Sequence, residues 1–316
     1  MAADAPGAEP LLRPMTESDF DAVARLIHRS TNAWYESRFG HSIFAGPESD
    51  CRIFPETYHA IDPGEAIVVE DASTGELLGS CFVHPRPTHV GIGIVNVAPE
   101  AFGRGIARRM MDAAGARADA AGLPMRLVSS AMNLDSYSLY SRTGFVPRAL
   151  FQDMLVSVPE AGLPEKVVPP GVTVLPATAS DAVEMAALEH ELAKIRRDVD
   201  IAHFLANPTG IWRTWVARAA DGAMVGWLAA SDHSASRIAG PASARDAEVL
   251  AALLWSALDA LRGKTVLVLV PADCPALIRL VESWGGRNAE LHVLQIRGAG
   301  VPPCGIQLPS FLPESG

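Results

Sequence analysis

The sequence predicts an α/β protein made of two tandem copies of one domain, each a mixed, mostly antiparallel central sheet with flanking helices. Three observations predict it. Residues 13–28 (RPMTESDFDAVARLIH) and 175–190 (LPATASDAVEMAALEH) align at a constant offset of 162 with seven of 16 positions identical, the self-similarity of a duplicated unit. Residues 68–79 (VVEDASTGELLG) resemble 216–226 (VARAADGAMVG) in the same order, and both read as hairpins with a Gly-containing turn. Between the copies, residues 158–171 carry Pro159, Pro164, Pro169 and Pro170, which suit neither a helix interior nor a central strand. At 316 residues the chain has the length of about two average domains.

Each element follows from local pattern. Residues 1–10 read as a short disordered leader with neither the basic nor the apolar region of a signal peptide. The first domain then spans 11–157. An apolar strand at 11–13 precedes Pro14, and a Thr-x-x-Asp stretch caps a helix at 18–30 with apolar periodicity near 3.6. A long aromatic-bearing segment covers 31–63. Strands follow at 66–70, 77–83 and 91–97, then a helix at 105–121, a strand at 125–129, a helix at 136–142 and a strand near 149–156. An antiparallel meander followed by β-α-β crossovers implies a mixed sheet with helices on both faces. After the 158–171 linker, the second domain (172–316) repeats the order: strand 172–175, helix 181–206, hairpin 214–231, helix 245–262, strand 265–270, helix 275–284 and strand 290–297.

Composition excludes several classes. With 49% hydrophobic and 20% charged residues the chain is an ordinary globular one. Of 26 basic residues only Lys166, Lys194 and Lys264 are Lys, no Lys/Arg stripe forms, and the net charge is −10. A nucleic-acid partner is therefore not expected, and an acidic surface suits cationic small molecules. Cys51, Cys81, Cys274 and Cys304 are far apart in the sequence, so neither a zinc site nor a disulfide framework is expected. The longest apolar helix candidate, 249–261, is too short for a bilayer. The expectation is a soluble, cytoplasmic protein with no metal and no membrane partner; the oligomeric state is not legible.

Chemistry concentrates at two places in the first copy. In residues 95–111 (VNVAPEAFGRGIARRMM) a strand ends at Val97, Pro99 stops it, and the turn Phe102-Gly103-Arg104-Gly105-Ile106-Ala107 opens into a helix. First-turn N–H groups lack internal partners and sit at the positive end of the macrodipole. Small residues at Gly103, Gly105 and Ala107 allow a pyrophosphate close to the backbone, with Arg104 and Arg108 able to add charge-assisted contacts. Read alone, the same turn serves a plain strand-turn-helix connection equally well. Downstream, residues 129–145 (SSAMNLDSYSLYSRTGF) place Asn133 and Tyr140 two helical turns apart, with Gly144 at the position of a left-handed C-cap.

Together these motifs resemble the GNAT superfamily of acyl-CoA-dependent N-acyltransferases. Val97-Ala98-Pro99 resembles its V-x-P strand end, Phe102 to Ala107 its Gln/Arg-x-x-Gly-x-Gly/Ala loop, and Asn133 with Leu139-Tyr140-Ser141-Arg142-Thr143-Gly144-Phe145 its later helix. Phe102 departs from the family's Gln or Arg. The resemblance covers most of 11–156 and implies acetyl-CoA or another acyl-CoA as co-substrate, held where two strands splay apart. It implies that residues 102–108 cradle the pyrophosphate and that Asn133 holds the pantetheine. The Val97 N–H would polarise the thioester carbonyl, and the Tyr140 hydroxyl would protonate the departing thiolate.

The acceptor is expected to be a small-molecule primary amine that attacks directly. Cys81, on a strand without a base motif, reads as core. Trp34, Tyr35 and Glu36 open a segment holding six of the chain's 20 aromatic residues, and such a long segment suits an acceptor-pocket wall as well as a hydrophobic cover over the sheet. Glu36, Glu70, His84 and His89 are weak candidates for the general base. In the second copy, Gly285 aligned with Gly144 puts Val281 at the place of Tyr140, and the connection read as 240–245 (GPASAR) lacks G-x-G spacing. That copy reads as a degenerate GNAT domain without cofactor machinery. The alternatives are a CoA-binding module without transfer activity, or transfer of a longer acyl group or to a non-amine acceptor.

Overall fold

The two aligned segments adopt one local structure. Thr16 and Thr178 are extended N-caps with φ −120° and −125°. Asp19 and Asp181, three residues on, each accept from the capping threonine's backbone N–H and hydroxyl. Both caps are clamped by an arginine: Arg13 pairs with Asp19 and Glu70, and Arg218 with Asp181 and Glu184. The Arg13 guanidinium holds the Asp19 carboxyl at about 2 against an ordinary 3.8. The repeat is thus one of structure as well as of letters.

The computed structural model describes residues 9–164 and 168–313; the first eight residues of the expected leader and three of the expected linker lie outside them. The described chain forms two compact units, one up to Pro85 with Ile92–Gly122, the other Arg86–Gly91 with everything from Leu123.

The first unit contains β1 (Leu11–Pro14), α1 (Phe20–Phe39), α2 (Ile53–Ile61), β2 (Ile67–Glu70), β3 (Leu77–Pro85), most of β4 (Val90–Val97) and α3 (Ile106–Ala121). Its strands run in the order β1-β2-β3-β4. Phe20, Val23, Ala24 and Ile27 form the buried stripe of α1. The expected end of this helix at Ser30 is corrected: α1 continues to Phe39, where Gly40 (φ 76°) closes it. Buried Ser30 and Asn32 interrupt the apolar period because both are satisfied by hydrogen bonds. The Asn32 side chain accepts from the N–H groups of Ile43 and Phe44 and donates to Phe44 O. The aromatic segment is therefore largely helical.

The second unit holds β5 (Met125–Ser130), α4 (Leu134–Arg142), β6 (Val146–Ser157), β7 (Thr173–Pro176), α5 (Ala182–Ala193), α6 (Asp198–Ala206), β8 (Trp212–Arg218), β9 (Met224–His233), β10 (Ser236–Ala244), α7 (Ala247–Asp259), β11 (Thr265–Pro271), α8 (Pro275–Ser283), β12 (Arg287–Arg297) and β13 (Ile306–Leu308). Strand order is β5-β12-β6-β11-β10-β9-β8-β7. All neighbours in it are antiparallel except β10 and β11. The first two residues of β4 join it in parallel, Val90 opposite Met125 and Gly91 opposite Arg126. Here β12, from the second copy, lies between β5 and β6 of the first, so division by contact differs from division by repeat. The predicted helix 181–206 is corrected to two, broken at Lys194 (φ 60°).

Matched glycines explain how each long helix seats on its hairpin. A Cβ on Gly79 would lie 2.8 Å from Ile106, and one on Gly226 2.8 Å from Val249; the missing side chain lets the helix approach. In the second unit α7 buries Val249, Leu250, Leu253, Leu254, Ala257 and Leu258 against an alanine-rich face of β9 and β10.

Candidate active site

The cradle in the first unit grows out of β4. After Val97, which is half-buried, Ala98 is buried and donates to Leu78 O, and Pro99–Ala101 form a single 3-10 turn. Phe102 is 53% exposed, and its N–H turns back to Pro99 O at 3.3 Å, as does that of Arg104 to Ala101 O at 3.3 Å. Gly103 and Gly105 have φ of 75° and 78°, and a Cβ on either would meet nothing within 4 Å. These left-handed residues direct the chain into α3. The N–H groups of Gly103, Gly105, Ile106, Ala107 and Arg108 have no backbone acceptor among the described residues, which leaves five donors at the start of a 16-residue helix, the positive end of its macrodipole. Arg104 approaches closely enough to lower the Asp71 carboxyl slightly, behind that group's hydrogen bonds to Ser73 and Thr74. Arg108 is held by Asp112 one turn on, at 2.8 Å.

Asn96, next to Val97, carried no signal in the sequence beyond being polar in an apolar strand. It is 7% exposed, its Nδ2 donates to Ser30 Oγ at 2.7 Å, and its Oδ1 has no partner among the described residues. Of the residues expected to bear on the acceptor, Trp34, Tyr35 and Glu36 share the last turns of α1. The Trp34 ring packs edge-on against Tyr35 and Phe39, and exposed Glu36 accepts from Ser42 Oγ. Phe54 and Tyr58, by contrast, are buried, Tyr58 against Phe82 and His84. Two of the segment's six aromatic residues are thus core.

The weak base candidates all have local partners. Glu70 is held by Arg13, and His84 Nδ1 lies 2.6 Å from Asp62 with both side chains buried. His89, in the second unit, bonds Thr88 Oγ1. Cys81 is fully buried, and its sulfur faces Phe82 O.

In the second unit, Asn133 is the N-cap of α4, its Oδ1 accepting from Ser136 N at 3.1 Å. Its Nδ2 has no acceptor among the described residues. Tyr140 lies in the last turn, 7% exposed, with Phe145 edge-on at 6.0 Å. Gly144 (φ 91°) donates to Ser141 O, and Phe145 N to Tyr140 O. This is a Schellman closure in which the Tyr140–Phe145 contact is the accompanying apolar pair.

The second copy repeats that closure without the phenol. Gly285 (φ 86°) donates to Glu282 O and Gly286 to Val281 O, so fully buried Val281 stands where Tyr140 does. The reading of 240–245 as the equivalent loop is corrected: through Ala244 these residues are β10, and Arg245 with the cap Asp246 is all that separates it from α7. An eight-residue glycine loop in the first copy is reduced to two residues here, which leaves no cradle.

The parallel pair β10 and β11 meets at Ile238–Leu267. Farther on, residues 242–244 of β10 keep β9 on one edge and take β13 on the other, Ala242 opposite Leu308 and Ala244 opposite Ile306. The edge that faces β11 is therefore filled by the chain's own C-terminal segment. That segment fits tightly, since a Cβ on Gly240 would lie 2.5 Å from Pro309 O.

A titratable cluster escaped the sequence reading. On β12 and β6, Glu290 lies opposite Asp153, and His292 Nδ1 is 2.9 Å from Asp153 Oδ2. Glu290 accepts from Ser130 Oγ, which itself accepts from the N–H groups of Met132 and Asn133. The three residues offer ligand atoms within 4.8 Å of one another; such a set has donors that suit a divalent cation. Glu-x-His on a strand was the local signal, but Asp153 comes from the other copy.

Comparison with known proteins agrees with the geometry. Residues 29–145 match the acetyltransferase (GNAT) family. No curated protein matches the sequence. Among solved structures the fold is similar to that of a Pyrococcus horikoshii protein described as an acetyltransferase (15% identity, 96% of this chain and 94% of that one, TM-score 0.68). It is similar too to a GCN5-related N-acetyltransferase from Sphaerobacter thermophilus (16%, 93% and 98%, 0.64). A tandem GNAT protein of the clavulanic acid biosynthesis pathway matches at 16% identity over 93% of this chain and all of that one, with TM-score 0.59. The chain carries a GNAT acetyltransferase domain, in a mixed α/β fold that it shares with a tandem GNAT protein. No helix among the described residues is long and apolar enough to cross a membrane.

Proposed function

We propose that the first copy (11–157) transfers an acetyl group from acetyl-CoA to a primary amine of a small cytoplasmic molecule. The second copy (172–316), joined by 158–171, has no cofactor of its own. The carrying observation is the unfilled cradle: two left-handed glycines and five N–H groups without backbone acceptors at the start of α3, a ready anion site. In this reading residues 102–108 hold the pyrophosphate, chiefly through backbone N–H groups from Gly103 onward, because the Phe102 N–H is turned to Pro99. The Asn133 Nδ2 holds the pantetheine. The Val97 N–H stabilises the oxyanion that develops when the amine attacks the thioester carbon. As the C–S bond breaks, the Tyr140 hydroxyl gives its proton to the CoA thiolate, and the proton that the attacking nitrogen sheds as the amide forms passes through water to restore the phenol. Trp34, Tyr35 and Glu36 border the acceptor, where an aromatic wall and a carboxylate suit a cationic amine.

The test is release of free CoA thiol from acetyl-CoA with a panel of primary amines, read together with the mass of the amine product. Release that depends on the amine and yields its N-acetyl derivative is expected. Binding of acetyl-CoA with no amine-dependent release would favour a binding module. Faster release from longer acyl-CoAs, or with hydroxyl or thiol acceptors, would correct the substrate.

A further inference from the structure

Asp153, Glu290 and His292 meet on one face of the sheet in the second unit, and the transferase reading uses none of them. Glu290 and His292 are two residues apart on β12 and so share a face, and β6 brings Asp153 to the place opposite Glu290. Asp153 is 3% and His292 8% exposed, while Glu290 is half-buried. Each offers a donor atom within 4.8 Å of those of the other two. The expectation of no metal rested on cysteine spacing, and this set contains no cysteine.

The buried donors do not satisfy one another. His292 Nδ1 lies 2.9 Å from Asp153 Oδ2, yet their alignment makes no hydrogen bond, and this nitrogen has no partner among the described residues. Asp153 Oδ1, on the same carboxylate, has none either. A nitrogen and an oxygen in contact without a shared hydrogen have the spacing of neighbouring ligands on one ion, because metal–ligand bonds of about 2.0–2.2 Å set donors roughly 3 Å apart. Both atoms are closed to water, which suits an ion enclosed between them and excludes a larger ligand, and unpaired burial of either is costly. Glu290 is the donor that solvent reaches. It accepts from Ser130 Oγ, itself fixed by the N–H groups of Met132 and Asn133, and the His292 ring packs 4.8 Å from that of Phe311. Such outer contacts orient the ligands of a metal site.

We propose that Asp153, Glu290 and His292 bind one divalent transition-metal ion, zinc before magnesium, and that the ion clamps β12 to β6. One imidazole and two carboxylates are ligand types that zinc accepts, and an imidazole favours it over magnesium, which prefers oxygen alone. Asp153 belongs to the first sequence copy and the other two residues to the second, so the ion would join the copies at two neighbouring strands. The site is built from the second unit alone, so it stands whether or not the transferase reading does.

Calorimetric titration of the chelator-treated full chain with zinc chloride, and with magnesium chloride for comparison, tests it. One zinc site per chain is expected, with magnesium weaker by about 100-fold or more. Saturating zinc should raise the melting temperature by about 5 °C or more, as an ion bound to the folded state alone does. Asp153→Asn and His292→Gln should each weaken zinc by more than the roughly 10–100-fold that loss of an outer partner costs. Glu290→Gln, at a half-buried position, should weaken it by about 10-fold or more, and it keeps the test decisive if the buried variants fold poorly. The proposal is overturned if zinc does not saturate the native chain, if magnesium binds as tightly, or if bound zinc leaves the melting temperature unchanged. Undiminished affinity in folded Glu290→Gln would overturn it as well, since zinc would then be held elsewhere, as at the exposed Cys304.

Discussion

Tyr140→Phe is expected to lower turnover by about 10²–10⁴-fold, the usual contribution of a positioned general acid, while leaving acetyl-CoA affinity nearly unchanged. The ring of Tyr140 packs edge-on against Phe145 within the helix closure, and Phe preserves that contact. Folding should change by no more than about 1 kcal/mol, the worth of one hydroxyl hydrogen bond. A proton delivered to a departing thiolate acts only in the transition state, so kcat and kcat/KM should fall together. Steady-state kinetics with an amine substrate, beside a binding titration, separates the two quantities. Val281→Tyr supplies the matching control: a phenol in the second copy should create no activity, because β10 passes into α7 with no cradle between them. Full activity in Tyr140→Phe would remove the catalytic assignment and leave the fold intact.

Gly105→Val is expected to reduce acetyl-CoA affinity by about 100-fold or more, the loss of roughly two charge-assisted hydrogen bonds. With φ 78° and ψ 8°, Gly105 occupies backbone space that a β-branched residue avoids. Valine would rotate the chain at the point where the N–H groups of Gly105, Ile106 and Ala107 must converge. Its side chain would also enter space that is open within 4 Å, the space assigned to the pyrophosphate. The strain falls on one exposed turn residue, so the folded state should survive it; circular dichroism and a thermal melt check this. Unchanged affinity in a folded variant would mean that the cradle lies elsewhere.

The order of elements was legible because the chain states it twice. The Thr-x-x-Asp caps, the hairpin glycines and the Gly144 and Gly285 closures each carry a local physical requirement, and each recurs. What local reading missed has physical reasons too. The second half of α1 was hidden by buried Ser30 and Asn32, whose partners are supplied by folding. The strand β10, with Gly240, Pro241 and small residues, has the composition of a loop, yet its residues from Ile238 to Ala244 are all buried. Of the residues proposed to act, the glycine turn and the Asn133–Tyr140 helix stood out because each is continuous in sequence. The Asp153–His292 pair did not, since it depends on β12 and β6 lying side by side, a pairing across copies that no local period announces.

The most direct measurement of the central claim, one working copy and one closed by the chain's own tail, is a calorimetric titration of the full chain with acetyl-CoA. The account predicts one equivalent bound per chain, lost in Gly105→Val. Two equivalents, or one that persists undiminished in that variant, would contradict it.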